Sequence, residues 1–76
     1  MLLVYVNGQL MRPGSDYTFN RLKLFPDFKF KIKHGTFVSL ITHSFLWHSR
    51  RDYMATVRKL THEKGQEARI VTWARV

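Results

Sequence analysis

The chain has 76 residues, no cysteine, and 13 Lys and Arg against five Asp and Glu, for a formal charge of +8. This length admits one domain, residues 1–76, with a small core, and the missing cysteines exclude disulfides and thiolate zinc sites as staples. The charge fits an acidic protein surface, a nucleic acid or an anionic membrane, and does not choose among them.

No Lys or Arg precedes the first apolar run, residues 2–6, which is too short for a secretory core. The apolar stretch over residues 37–47 is interrupted by Ser39, Thr42, His43 and Ser44, far from the ~20 apolar residues a membrane helix needs. The expectation is folding in a reducing cytoplasm, without a membrane partner. A core this small also favours an assembled protein, a homo-oligomer or a multi-copy component, over a free monomer.

The pattern along the chain is one of short strands and frequent turns. Residues 2–6 read as a strand that Asn7-Gly8 turns sharply. Gln9, Leu10 and Met11 run back before Pro13-Gly14 turns again, as a type I or II turn. Asp16 can bond the local backbone there, and Tyr17 can fold over the turn. Two turns so close describe a detour that offsets the next strand into a defined register. Leu22-Lys23-Leu24 alternates as a short strand, with Pro26-Asp27 as a turn or bulge after it. Residues 28–33 alternate more cleanly, placing Lys29, Lys31 and Lys33 on one face and Phe28, Phe30 and Ile32 on the other. His34-Gly35 is a further turn, and residues 36–42 form a β-branched strand.

Residues 53–60 read as a strand with Tyr53, Ala55 and Val57 on one face. A polar loop with Gly65 follows over residues 61–67, then a strand over residues 68–76. The alternative is a helix over residues 51–64, supported by the spacing of Met54, Val57 and Leu60 and by Asp52 as its cap. The strand is favoured because a partner strand follows directly. The expected fold is all-β: a small antiparallel sandwich or open barrel of six to seven short strands.

Val4-Tyr5-Val6-Asn7-Gly8, then Leu10, then Pro13-Gly14-Ser15-Asp16-Tyr17-Thr18, resembles a short β module of tailed-bacteriophage virion proteins, of the tail-fibre and appendage type. In such modules a short strand follows, here placed at residues 20–24, and then a strand introduced by a glycine, here Gly35-Thr36-Phe37-Val38. The resemblance covers residues 2–42. It departs from the pattern in the length of residues 25–32, and it has no counterpart after Thr42. It implies a structural virion component that adheres to its own copies or to other virion proteins of the tail, neck or capsid surface, assembled in the host cytoplasm, with no catalysis.

Candidate chemistry is sparse. His43 and His48 have nominal zinc spacing, but residues five apart on one strand point to opposite faces. His34, His43, His48 and His62 read as surface or interface histidines, which could make assembly pH-sensitive. Ser44, His48 and Asp52 make a triad only on a helix, without the strained turn and oxyanion hole a nucleophile needs. No glycine loop cradles phosphate. The reading therefore expects no enzyme, no metal, no cofactor and no small-molecule substrate.

Contact surfaces are the better candidates. Trp47, Arg50, Arg51 and Tyr53 read as one patch of the residue types that anchor interfaces, with Trp73 as a second anchor or a core residue. Leu3, Val4 and Tyr5, on the N-terminal strand, are candidates for pairing across chains. Lys29, Lys31, Lys33, Arg58 and Lys59 could face an acidic partner or nucleic acid. A small basic β-barrel that binds single-stranded nucleic acid is the alternative function.

Overall fold

A computed structural model describes residues 1–61 and 63–76. It is all-β, with seven strands: β1 (Leu2–Val6), β2 (Gln9–Leu10), β3 (Tyr17–Asn20), β4 (Phe25–Phe28), β5 (Phe37–His43), β6 (His48–Thr61) and β7 (Glu67–Arg75). Five of them form an antiparallel sheet in the order β2-β1-β5-β6-β7, and β3-β4 is a separate hairpin laid against one face. The layers do not close into a barrel.

The opening detour is built as its residues demand. Asn7 and Gly8 both have positive φ, 50° and 84°, the turn geometry that returns β2 along β1. Asn7 also ties this turn to β5, its Oδ1 accepting from Phe37 N–H at 2.9 Å and its own N–H donating to Phe37 O at 2.7 Å. In the second turn Gly14 has φ 86°. Asp16 clamps that turn twice, its Oδ2 accepting from Arg12 N–H at 2.7 Å and its own N–H donating to Arg12 O at 2.9 Å. The chain then enters β3 with Tyr17 buried in the core, and burial pushes its phenol above the ordinary tyrosine range.

Period-2 alternation sets the core. Val4 and Val6 of β1 and Val38 and Leu40 of β5 point inward, where Tyr17 caps them and Phe25, Phe28, Tyr53 and Trp73 pack around them. Each such buried aliphatic side chain stabilises the fold by about 1.5–3 kcal/mol. The aromatic group that joins hairpin to sheet is close-packed. Phe25 meets Tyr53 edge-on at 5.0 Å and Trp73 at 5.2 Å, while Phe28 lies 6.0 Å from Trp73.

Several expectations are corrected. Residues 21–24 are the turn between β3 and β4, and Leu24 takes a positive φ of 53°, so Leu22-Lys23-Leu24 is no strand. Pro26 and Asp27 lie inside β4, paired with Phe19 and Thr18. The alternating strand over residues 28–33 ends at Phe28. Beyond it, Lys29 N–H bonds Asp16 O as one more rung in the same register and the Lys29 ammonium bonds Gly14 O, and there the ladder stops because the facing segment is the turn at Gly14. The helical alternative over residues 51–64 falls where residues are described, since the favoured strand reading of residues 53–60 holds and β6 extends it from His48 to Thr61. The loop after it turns through Gly65, at φ 73°, while His62 lies outside the described residues.

β6 dominates the shape. Its 14 residues span about 46 Å, and the molecule measures 54 × 25 × 24 Å. Residues His48 to Met54 pair with β5, and residues Tyr53 to Thr61 pair with β7, so the two ladders overlap only at Tyr53 and Met54. The far half of β6 and most of β7 form an arm that projects from the packed body.

Candidate functional site

The hairpin between β5 and β6 ends in Phe45, Leu46 and Trp47, which are 99%, 89% and 62% exposed. Ser44 N–H donates to Trp47 O at 2.7 Å and Trp47 N–H to Ser44 O at 3.4 Å, closing a two-residue turn with Phe45 and Leu46 at its tip. Such turns favour Asn and Gly with positive φ; neither Phe45 nor Leu46 has it. The tip thus spends three large apolar side chains where turn chemistry asks for none. At its base His43 and His48 are direct cross-strand partners, with ring centroids 4.7 Å apart. The turn between them brings onto one face two residues that would diverge on a single strand.

The proposed patch at Trp47, Arg50, Arg51 and Tyr53 is divided. Arg50 and Arg51 are neighbours on a strand and face opposite sides. On the outer face Arg50 Nε lies 3.0 Å from Asp52 Oδ1. Bonds from Ser39 and Arg50 hold the Asp52 carboxyl below its ordinary range. On the inner face Arg51 reaches the Tyr53 hydroxyl and Leu24 O, each at 3.5 Å, and Arg75 stacks 5.9 Å from the Tyr53 ring centroid. Tyr53 and Trp73 are half-buried members of the aromatic packing, which makes Trp73 mainly a core residue.

The N-terminal strand is divided by the same alternation. Val4 is fully buried within the chain and is a core residue. β1 also lies inside the sheet, paired along its whole length with β5 and partly covered by β2. Leu3 and Tyr5 face outward, in rows with Ile41 and Ser39. Phe37, Met54 and Ile70 share that outer face, which no layer covers.

The basic candidates regroup. Lys29 is turned back to Gly14 O, and Arg58 stands on the outer face opposite Ile70. Lys31, Lys33 and Lys59 come together with His34, Val57 and Arg69 around a hollow of about 360 Å³. Arg69 and His34 are additions that the sequence reading missed. Arg69 becomes visible only once the hairpin register sets it opposite Lys59.

Catalytic arrangements do not assemble among these residues. The Ser44 hydroxyl donates to Trp47 O at 3.2 Å, and His48 and Asp52, four positions apart on one strand, are separated by about 13 Å. A second hollow, of about 560 Å³, is lined by Leu2, Tyr17, Phe19, Thr42 and Arg51 among others, with no carboxylate or imidazole for acid–base work. Among the described residues no three His, Asp or Glu converge as metal ligands, and no helix is long and apolar enough to cross a membrane. No family model, curated protein or solved structure matches the chain.

Proposed function

We propose that this chain is a structural, non-catalytic component of a tailed-bacteriophage particle, assembled in the host cytoplasm and seated on a larger virion protein. The single observation that carries the seating is the exposed tip Phe45-Leu46-Trp47. Exposed large apolar residues in a cluster mark contact surfaces, and Trp is among the commonest anchors of interfaces. The uncovered outer face with Leu3, Tyr5, Phe37 and Ile41 extends the same surface. The virion context comes from the resemblance of residues 2–42 to appendage modules. A larger acidic partner is favoured over a second copy because copies at +8 repel one another, whereas an acidic surface attracts and orients the chain.

The test is incorporation. Particles of the phage that encodes this chain are purified through a high-salt wash and assayed by quantitative mass spectrometry. The chain is expected at a fixed copy number per particle. A variant with Phe45→Ser, Leu46→Ser and Trp47→Ser is expected to fold, by circular dichroism, and to be missing from particles. Absence of the wild-type chain from washed particles overturns the virion reading. Normal incorporation of the variant moves the contact away from the tip. A defined oligomer of the purified chain by light scattering, abolished by the same variant, puts a second copy in the partner's place.

A further inference from the structure

The hollow at the root of the arm holds like charges that nothing in its walls neutralises. Lys59 and Arg69 are directly paired across β6 and β7. Like charges in such a pair are destabilising. Lys31 and Lys33 close on the same hollow from the segment before β5, so four cationic side chains line it and no carboxylate does. The acids are engaged elsewhere or stand apart. Among the described residues the ion pairs are Lys23–Asp27 and Arg50–Asp52, and Glu67 lies two residues from Arg69 without lining the hollow.

The walls are also held in place. An Arg69 guanidinium nitrogen donates to Ile32 O, which pins the fork to the hollow and leaves other N–H groups free. His34 Nδ1 accepts from Val57 N–H at 3.1 Å, so the neutral ring carries its proton on Nε2, as a further donor. A fixed guanidinium, lysines on opposite walls and an imidazole N–H make a donor set for phosphate oxygens. The hollow also falls within the size of ordinary ligand sites. Next to Lys31 in the chain, Phe30 packs one side of its ring against Phe28 at 5.3 Å and is 39% exposed, which leaves part of an aromatic surface near the hollow.

We propose that this hollow binds the phosphate backbone of a single-stranded nucleic acid, through Lys31, Lys33, His34, Lys59 and Arg69. The site is separate from the apolar tip and stands or falls independently of the virion reading.

The experiment is fluorescence anisotropy with a labelled 12-nucleotide oligo-dT on the full chain over a salt series. Four phosphate contacts give a slope of log K against log salt of about −3, and removing two brings it to about −1.5. Lys59→Gln with Arg69→Gln, and separately Lys31→Gln with Lys33→Gln, are each expected to weaken binding about tenfold or more. The second pair guards against a folding effect of losing the Arg69 bond to Ile32. Arg12→Gln with Arg21→Gln makes the same charge change away from the hollow and is expected to weaken binding less than about threefold. Equal losses in all three variants would reduce the binding to diffuse net charge and overturn the site. So would an absence of binding at low salt, or displacement of the oligonucleotide by millimolar pyrophosphate alone. Binding of a poly-glutamate peptide as tightly as of oligo-dT would overturn the nucleic-acid assignment in favour of an acidic protein.

Discussion

The two halves of β6 are one strand with two lives. The half from His48 to Met54 runs beside β5, over the core residues Leu40 and Val38 and under the aromatic packing of Phe25 and Trp73. The half from Ala55 to Thr61 has β7 on one side. On the other side only the segment before β5 follows it, through Gly35 N–H to Ala55 O, Ala55 N–H to Thr36 O, and His34 to Val57 N–H. Ala55 is its one buried residue, and Leu60 and Ile70 stand exposed. A two-stranded ribbon is marginal on its own. The near half is therefore made for stability and the far half for presentation, and the basic hollow lies on the far half, where conformational demands are lightest.

The sharpest way to break this contrast is in the core. Leu40→Ala should cost about 2–5 kcal/mol, comparable with the whole stability of a chain of this size, about 5 kcal/mol. Val4→Pro should also be destabilising, since it replaces a fully buried core side chain and forces a proline ring into the middle of a strand. Urea denaturation should find both variants largely unfolded. A Val4→Pro chain that folded normally would contradict the burial of Val4 in the core. Gly8→Ala should lie in between, at about 1–2 kcal/mol, because an L side chain must enter the left-handed region at φ 84°. Leu60→Ser, on the arm, should change stability by less than about 0.5 kcal/mol. A loss above about 1 kcal/mol there would show Leu60 to be packed in solution, within the chain or against a second copy, and would contradict its exposure.

The smallest effect is the pH dependence of Asp52. Its carboxyl is held below the ordinary range by Ser39 and then by Arg50. A depressed native value means that the stabilisation is present above the unfolded carboxylate range, about pH 4. It is lost as pH falls further, through the native value. Asp52→Asn should flatten that acid limb by removing the contribution from the neutral side, leaving the variant slightly less stable than wild type at about pH 7 and alike below the native value. A limb identical to wild type would place the acid sensitivity on other carboxylates.

Much of this architecture was legible where local chemistry and tertiary context agree. Asn7-Gly8, Pro13-Gly14 and His34-Gly35 are turns because glycine relieves a positive φ at each. The β-branched run at Phe37–His43 is a strand because it lies between β1 and β6 in the sheet with Val38 and Leu40 in the core. Reading failed where alternation found no partner strand. Residues 28–33 carry a clean period of two, yet past Lys29, which still bonds Asp16 in register, the facing segment is the turn at Gly14. Leu22-Lys23-Leu24 alternates by coincidence within a turn. The pairing of His43 with His48 and of Lys59 with Arg69 depends on hairpin register, which composition does not encode. Phe45-Leu46-Trp47 reads as a strand end or loop, with Trp47 as an anchor, but the two-residue turn itself was not legible because the segment lacks the residues that announce one.

The brief overlap of the two ladders has a mechanical meaning. β5 and β7 are spliced through β6 as two planks are joined by a third, sharing only Tyr53 and Met54. A pull on the far loop reaches the body through the covalent chain of β6 and through the last residues of β7, where Trp73 is clasped by Phe25 and Phe28 and Val76 N–H holds Asp52 O at 2.9 Å. Load on the arm would therefore be borne in shear along the strands, the direction in which a ladder yields last, and the aromatic clasp is the rivet whose loss would let the splice slide.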